Sequence, residues 1–473
     1  MLRVPLAMSA VMAVSACFPC RAAMALLPLP HEGIAIRGWI GERERIRSVP
    51  YGCTLEAGIN QSKPDNDLYL ATSEGGALMS EQSIIRRDFL GKVGLGGLGA
   101  AAAGGLAEAV TAAAEPQGPK PWKPVSDRKI RFGIVGFGVC QFGAAFGFQD
   151  HPNVEIVAVS DLFPERRSGL MKACRCEKSY ESLEVLVKDP KIEAVFAATD
   201  APSHARHCIE VLRHGKHVMT AVPAVWGSIE DAGRLVETVR QTGLKHMMAE
   251  TSCYHEACHA MRQVYRAGGF GRVVYSEGEY YHYLDAPIGS YKNWRIGCPP
   301  LWYPTHSTAY YVGVTGKRYT AVSCAGFRGG LPMFRDGANQ YNNPFSDEVA
   351  LFQTSEGGTS RMSMCTSIYG KVEETGRIFG ERGWMEGVQY RGTAKKLPDL
   401  SRPPLPPSVP TGGHGGSHGY LSNEFVTAIL EDRDPLVSVY EALAMTVPGI
   451  IAHRSALKDG ETMKIPQFDR PKA

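Results

Sequence analysis

Two glycines that follow a short β-rich run have the residue types and spacing that bind nucleotide phosphates. Residues 129–135 lead into Gly136-Phe137-Gly138-Val139. Gly136 permits a tight turn, and Gly138 lets the backbone approach a pyrophosphate whose charge lies at a helix N-terminus. This stretch predicts a dinucleotide cofactor, NAD, with NADP as the alternative.

A carboxylate at the end of the next apolar run fits the same interpretation. Residues 154–160 end at Asp161, at roughly the 20-residue spacing of an acid that binds the ribose hydroxyls. This acid favours NAD, whereas Arg166-Arg167 leaves NADP open. The fingerprint is imperfect, because Gln141 occupies the position of the third glycine, with Gly143 nearby.

The pattern HExxH, which on a helix binds zinc through two histidines, occurs at His255-Glu256-Ala257-Cys258-His259. Residues 255–266 contain few helix breakers, so we expect a helix there. No third ligand follows at the spacing of the extended zinc pattern, and a metallopeptidase needs no nucleotide-binding domain. We therefore predict a partly exposed helix and no metal site.

Strands and helices alternate after the glycine pair and then give way to successive strands. Residues 194–199 and 216–220 are predicted strands with a helix, 204–213, between them, as in a dinucleotide-binding βαβ fold. Beyond Glu250, the predicted strands are 272–283, 319–327, 348–354, 361–366 and 376–379, and the predicted C-terminal helices are 418–430 and 439–457.

Two segments of the first half resemble signature sequences of the Gfo/Idh/MocA oxidoreductases. They are Ala198-Thr199-Asp200-Ala201-Pro202-Ser203-His204 and Gly215-Lys216-His217-Val218, and the resemblance extends over about residues 129–466. It implies an α/β fold, with an N-terminal Rossmann dinucleotide-binding domain and a C-terminal α/β domain whose open, mostly antiparallel sheet carries the substrate site. The cofactor-binding residues predicted in this way are Gly136, Phe137, Gly138, Val139, Asp161, Thr199 and His204.

One departure from the family bears on mechanism. Its dehydrogenases usually carry Glu-Lys-Pro after the second signature strand, with the lysine beside the reacting carbinol, whereas this chain has Ala221-Val222-Pro223. A lysine ammonium can polarise the substrate oxygen and valine cannot. Either another residue does that work, or the protein is a non-catalytic NAD-binding sensor.

Four segments of the second half resemble the NAD-dependent α-N-acetylgalactosaminidases of glycoside hydrolase family 109. They are Met247-Met248-Ala249-Glu250, Glu279-Tyr280-Tyr281-His282, Trp294-Arg295 and Tyr303-Pro304-Thr305-His306. Those enzymes oxidise C3 of the sugar, eliminate the C1 substituent, add water and reduce the ketone again. The residues after His306, Ser307 to Tyr311, depart from the family's Gly-Leu-Gly-type continuation, so net oxidation by a sugar dehydrogenase or sugar–sugar oxidoreductase remains the alternative.

This second resemblance implies a set of catalytic residues for a carbohydrate substrate. His306 is the predicted base for the 3-hydroxyl, because an imidazole with a pKa of about 6.5 needs little tuning. A tyrosine would need a nearby cation such as Arg295 to act as a base at C2. The catalytic residues predicted in this way are Glu250, Tyr280, His282, Tyr303 and His306.

The N-terminal region has the pattern of an export signal. Arg86-Arg87-Asp88-Phe89-Leu90 precedes a Gly/Ala-rich apolar stretch and then Ala112-Ala113-Ala114, which is the order of a twin-arginine signal peptide. The Tat translocase moves folded proteins, so we expect a cofactor-loaded enzyme in the periplasm or outside the cell. The predicted organisation is a non-native extension at 1–78, with translation from Met79, a signal peptide at 79–114, a linker at 115–128, the Rossmann domain at 129–249 and the substrate domain at 250–473.

Composition limits the other function classes. A net charge of +3 gives no ground for nucleic-acid binding, and no apolar run after Ala114 reaches the roughly 18–20 residues of a membrane span. The cysteines after that point are scattered, and folding before export occurs in a reducing compartment, so we expect free thiols. An open sheet face also favours a homo-oligomer.

Overall fold

The computed structural model describes residues 121–471 and two upstream strands, β1 (Glu56–Gly58) and β2 (Tyr69–Ala71), which pair antiparallel. The predicted signal peptide, the rest of the proposed extension and the first part of the linker lie outside the described residues. Within 121–471 no helix is long and apolar enough to cross a membrane. The nine cysteines of that stretch are all free, as expected.

A parallel sheet of six strands forms the first part of this stretch. Its strands are β3 (Ile130–Val135), β4 (Val154–Ser160), β5 (Ser179–Tyr180), β6 (Ala194–Ala197), β7 (His217–Thr220) and β8 (His246–Met248). The helices between and beside them are α1 (Phe142–Ala145), α2 (Pro164–Cys174), α3 (Leu183–Leu186), α4 (His204–Arg213) and α5 (Ile229–Thr242). Strand β6 is wholly buried and β3 nearly so, which is typical of parallel strands covered on both faces.

The strand order β5-β4-β3-β6-β7-β8 is that of a Rossmann fold and reverses direction between β3 and β6. Such a switch point leaves a crevice outside the carboxyl ends of the strands, where ligands bind. Gly136 follows β3 and Ala198 follows β6, so the predicted phosphate-binding turn lies at this crevice. The predicted Rossmann domain is confirmed.

A second sheet, of eight strands, follows. Its strands are β9 (Val273–His282), β10 (Tyr319–Phe327), β11 (Asp347–Thr354), β12 (Thr359–Cys365), β13 (Val372–Gly380), β14 (Gly383–Glu386), β15 (Gln389–Gly392) and β16 (Met463–Lys464), in the order β15-β14-β13-β9-β12-β11-β10-β16. Only β9 and β12 pair in parallel, which confirms the mostly antiparallel sheet. The helices of this part are α6 (Glu256–Arg266), α7 (Thr305–Thr308), α8 (Val312–Thr315), α9 (His418–Leu430) and α10 (Val439–Ala456).

The eight-stranded sheet has one buried and one partly exposed face. In β11, Ala350 and Phe352 are buried while Val349 and Leu351 are exposed, the alternation expected of a half-covered strand. Helix α10, which is apolar on nearly all sides and almost wholly buried, packs against β10 and β11. Sequence patterns missed the short strands β5, β8, β14, β15 and β16, because two to four residues are too few to show alternation.

Candidate active site

The turn after β3 requires glycine. Gly136 has a φ of 100°, and a Cβ there would overlap the carbonyl oxygen of Ala198. A Cβ on Gly143 of α1 would overlap the carbonyl oxygen of Gly136, so Gly143 provides the close helix–strand packing expected of the third glycine. Gly138 has open space at its Cβ position, which leaves room for a pyrophosphate.

Asp161 is buried at the end of β4 and is held by two backbone amides. Its Oδ2 accepts a hydrogen bond from the Phe137 N–H at 2.7 Å, and its Oδ1 accepts one from the Phe163 N–H at 3.0 Å. Each oxygen keeps acceptor capacity for a ribose hydroxyl. Phe137 was predicted to contact the cofactor directly; in the structure its amide orients Asp161 and its ring lies against Gly169.

A cleft of about 450 Å³ runs along the switch point. Its glycine turn, its open Gly138 and its oriented carboxylate fit the pyrophosphate and ribose of NAD. Arg166, whose guanidinium lies 4.5 Å from the centre of the Phe163 ring, also lines it. The predicted residues that line the cleft are Gly136, Gly138, Val139, Asp161, Thr199 and His204.

His204 braces the floor of this cleft. Its Nδ1 lies 2.7 Å from the carbonyl oxygen of Pro223, and its Nε2 lies 3.2 Å from that of Thr199. Burial lowers the pKa of His204 and so favours the neutral imidazole, which donates through one of its nitrogens only. Its ring nitrogens face the protein backbone.

The cleft has no lysine at position 222, where Gfo/Idh/MocA dehydrogenases usually carry one. Ala221 and Val222 are buried there and line the cleft. Arg295 lines the same cleft, lies 4.3 Å from the Trp294 ring centre, and forms no ion pair with any residue in 121–471. Its guanidinium is therefore available to polarise a substrate oxygen.

A second cavity of about 330 Å³ adjoins the cleft. Cys140, Phe142, Arg295 and Tyr303 line both spaces, so a substrate in the cavity lies next to the cofactor cleft. Four of the predicted catalytic residues line the cavity, and the fifth, Glu250, is wholly buried behind His306. The four are Tyr280, His282, Tyr303 and His306.

Helix α7 lies close to the sheet because two glycines face it. Gly278 of β9 and Gly376 of β13 are register partners. A Cβ on Gly278 would overlap the carbonyl of Ser307, and one on Gly376 would overlap the ring of Tyr310. This glycine pair makes room for α7 and so fixes His306 against the sheet.

Two carboxylates lie beside the His306 imidazole, one buried behind it and one in the cavity wall. Its Nδ1 lies 2.8 Å from Oε1 of Glu250, 3.3 Å from Oγ1 of Thr251 and 3.6 Å from Oε2 of Glu374. Burial opposes the charged imidazole, but the two carboxylates outweigh it and raise the pKa of His306 to about 9. The carboxylates therefore favour the imidazolium form of His306, which departs from the expectation of an unperturbed imidazole.

The predicted tyrosines face His306, with the ring centres of Tyr280 and Tyr303 4.7 and 5.5 Å from that of the imidazole. Burial raises the pKa of both phenols, and Arg295 opposes that change without reversing it. Arg295 thus lies near both tyrosines, as a tyrosine base at C2 would require, but burial disfavours the ionised phenol. Neither hydroxyl has a hydrogen-bond partner within 121–471, so both can donate to a substrate.

Sequence reasoning missed the place of Glu374 and His255 in the cavity wall. Glu374 is the register partner of Tyr280 and shares its face of the sheet, a relation that the sequence does not reveal. Nε2 of His255 lies 3.5 Å from Oε2 of Glu374 and 3.0 Å from the carbonyl oxygen of His414. Burial lowers the pKa of both histidines. The Gly-rich segment 412–418, which leads into α9, places His414 at the cavity.

The two histidines of HExxH lie in different surroundings. His255 lines the cavity, whereas Nδ1 of His259 lies 3.1 Å from Nη2 of Arg262 and its Nε2 lies 3.2 Å from Nε2 of Gln263. Among the described residues, no group of three or more His, Cys, Asp or Glu side chains could hold a metal ion. The two histidines therefore do not face a common site: His255, just before α6, lines the cavity, and His259, within α6, does not.

Comparisons with known proteins agree with this geometry. A family model described as an oxidoreductase family with an NAD-binding Rossmann fold matches residues 130–250. A glycosyl hydrolase family 109 protein of Solibacter usitatus is 25% identical over 390 residues, which cover 72% of this chain and 89% of that protein. One from Porphyromonas gingivalis is 30% identical over 178 residues, which cover 35% of this chain and 38% of that protein.

Solved structures share the fold. A levoglucosan dehydrogenase complex with NADH and L-sorbose has a TM-score of 0.60 and 16% identity, and the match covers 72% of this chain and 100% of that one. An aldose-aldose oxidoreductase from Caulobacter crescentus complexed with glycerol has a TM-score of 0.57 and 18% identity, with coverage of 71% and 100%. Residues 130–250 thus match the oxidoreductase family with an NAD-binding Rossmann fold, and the chain is similar to proteins of glycosyl hydrolase family 109.

Proposed function

We propose that this oxidoreductase acts on a sugar or a glycoside. The observation that carries the proposal is that His306, Tyr280 and Tyr303 surround a cavity that shares a wall with the dinucleotide cleft. Free hydroxyl and ring-nitrogen groups directed into one space suit a polyhydroxylated substrate. The unpaired Arg295 at the shared wall provides the positive charge that the missing lysine would have supplied.

Proton transfer in this proposal belongs to His306 and its carboxylates. When bound, NAD supplies the acceptor for a hydride from a sugar carbon. In its neutral form, His306 accepts the hydroxyl proton of that carbon, and Glu250 stabilises the resulting imidazolium across their 2.8 Å contact. The protonated tyrosines donate hydrogen bonds to neighbouring sugar oxygens.

We further propose that oxidation leads to cleavage of a glycosidic bond. The relationship to family 109 proteins and the absence of a lysine at Val222 support this reaction. A ketone at C3 acidifies the C2 proton, the C1 substituent leaves by elimination, water adds, and the ketone is reduced by the hydride removed earlier. The net reaction is hydrolysis, so no external oxidant is consumed.

Net oxidation is the second candidate. It is favoured by the segment after His306, Ser307 to Tyr311, which departs from the continuation typical of the glycosidases. Structural neighbours named levoglucosan dehydrogenase and aldose-aldose oxidoreductase point to the same chemistry. In that reaction the product is a stable keto sugar or lactone.

A panel of aryl glycosides and free sugars, incubated with the cofactor-loaded protein in deuterated water, separates the candidates. Redox-assisted cleavage releases sugar, accumulates no NADH, and places deuterium at C2. Net oxidation gives an oxidised sugar without cleavage. Inactivity on the whole panel would favour the non-catalytic sensor.

We also propose export of the folded, NAD-loaded protein by the twin-arginine route, on the basis of Arg86-Arg87 and the apolar stretch that follows. Replacing both arginines with lysine should leave the protein in the cytoplasm, whereas the same change at Arg45 and Arg47 should not. A chain that starts at Met79 should be exported like the full chain. Normal export of the double lysine variant would contradict the route.

The exposed sheet face supports a further proposal, that copies of this chain associate. Phe327 of β10 and Val349 and Leu351 of β11 are exposed on neighbouring strands. Sedimentation should detect an oligomer that Leu351→Lys weakens. A monomer at all concentrations would exclude it.

A further inference from the structure

A small side pocket opens from the substrate cavity beside Trp294. Its volume is about 50 Å³. It shares Tyr280, His282, Arg295 and Tyr303 with the cavity. Arg295 and Tyr303 also line the cofactor cleft, but Tyr280 and His282 do not. Because these two residues join the pocket to the cavity alone, we assign a group that enters it to the molecule held in the cavity.

Beyond that shared opening the pocket is mainly apolar. Its hydroxyl-bearing residue, Thr366, donates to the carbonyl oxygen of Ser346 at 2.8 Å, so that hydroxyl is already occupied as a donor. Burial raises the pKa of Cys298 to about 11, so its thiol is neutral and only a weak donor. The apolar lining comes from Leu284, Ile288, Met333, Phe334 and Met364.

The size and lining of the pocket select what can occupy it. A volume of about 50 Å³ exceeds the roughly 10–15 Å³ that one water requires, but it is smaller than the roughly 150 Å³ cavity that binds benzene. Water there finds few hydrogen-bond partners, so an apolar group that displaces it gains affinity. A sugar hydroxyl would lose its bonds to water and regain few.

We infer that this side pocket binds a methyl group of the substrate. The substrate is then a sugar that carries a methyl group in place of a hydroxymethyl group, as in a 6-deoxy sugar, or on a hydroxyl oxygen, as in an O-methyl ether. The inference rests on the proposed function in one respect, that a sugar occupies the cavity, and it adds the substituent that distinguishes the substrate from common hexoses.

Equilibrium binding measures this directly and does not depend on turnover. Hexoses, each paired with its 6-deoxy and its O-methyl derivative, are titrated by calorimetry into the full chain loaded with NAD. For at least one hexose, a methyl-bearing member should bind about tenfold or more tightly than its parent. The arm that shows the preference identifies the source of the methyl group.

Two variants test whether the pocket causes the preference. Ile288→Thr replaces an apolar side chain with a shorter, hydroxyl-bearing one on an irregular segment, and Met364→Gln adds an amide on β12 at similar side-chain volume. Each should reduce the preference to about twofold while binding of the parent hexose is retained. Met463→Gln, on β16 at the far edge of the sheet, is the matched control and should keep the full preference.

Each outcome decides between the two proposals. Pairs that bind equally, or a preference that survives in both pocket variants, would overturn the methyl pocket. Oxidation of sugars without a methyl preference would overturn the pocket and leave the proposed function intact. A methyl preference without any oxidation would keep the pocket and overturn the proposed function, and no binding of any sugar would overturn both.

Discussion

The cofactor cleft and the substrate cavity share a wall, yet different chemical groups line the rest of each. The part of the cleft that fits pyrophosphate and ribose is a glycine turn and two backbone amides that hold Asp161, all within residues 136–163. The cavity is lined by titratable side chains from distant segments, among them His306 and Glu374, with Glu250 buried behind His306. An added side-chain atom in the glycine turn should therefore impair NAD binding, and a change of charge beside His306 should impair catalysis.

The largest effect is expected at the cavity. His306→Ala should lower kcat/KM by about 10²–10⁴-fold, because it removes the proton acceptor. NAD content should not change, since the imidazole lies outside the glycine turn. His259→Ala, which removes an imidazole elsewhere in the same half of the chain, is the control. Loss of bound NAD in His306→Ala would contradict the separation of substrate chemistry from cofactor binding.

Two glycine substitutions separate folding from cofactor binding within the cleft. Gly136→Ala should lower stability and abolish NAD retention, because its Cβ overlaps the Ala198 carbonyl and its φ is positive. Gly138→Ala meets open space, so it should keep the melting temperature of the nucleotide-free protein and lose only NAD affinity. Equal melting temperatures for the two variants would contradict the packing described for Gly136.

The pH dependence of kcat/KM tests the effect of the two carboxylates on His306. With the pKa of His306 raised to about 9, kcat/KM should rise with pH up to that value, as the neutral imidazole forms. Glu250→Gln should move this limb to lower pH, and Glu374→Gln should move it less, because Glu374 lies 3.6 Å away rather than 2.8 Å. A limb that stays in place in Glu250→Gln would exclude His306 as the titrating base.

The raised pKa of His306 also makes the stability of the fold depend on pH. The pKa of His306 is higher in the folded state than the ordinary 6.5, so its ion pair stabilises the fold fully below pH 6.5. This contribution is lost as the pH rises through about 9. Denaturant unfolding of wild type and Glu250→Gln at both ends of that range should show the difference only at the lower pH.

The smallest effect is expected at Asp161. Asp161→Ala removes one acceptor group for the ribose hydroxyls and frees two backbone amides, so NAD retention should fall while the glycine turn stays in place. Nucleotide content after denaturation, measured by mass spectrometry, checks this. Unchanged retention would show that the backbone alone holds the cofactor.

The difference between the two regions also explains what the sequence could predict. Gly136, Gly138 and Asp161 lie within one local pattern, so the cleft followed from spacing, and only the role of Gly143 needed coordinates. The predicted catalytic residues came from resemblance; four of them line one cavity, and the fifth, Glu250, contacts His306 from behind. The position of Glu374 beside Tyr280 depends on the register between β13 and β9, which the sequence does not reveal.

The pKa of His306 depends on two carboxylates far away in the chain. Non-local contacts of this kind leave no periodic signal in the sequence, and the same holds for the short strands that complete the sheets. The charge state of the site was therefore the part least accessible to sequence reasoning.

The most direct test of the central claim is a single-turnover measurement on the purified chain with no nucleotide added. Bound NAD should be present, and rapid mixing with a substrate sugar should give the absorbance of reduced nicotinamide, either transiently or as a stable signal. His306→Ala should bind the same nucleotide and show no reduction. Bound nucleotide that no sugar or glycoside reduces in the wild-type protein would contradict an oxidoreductase that acts on carbohydrates.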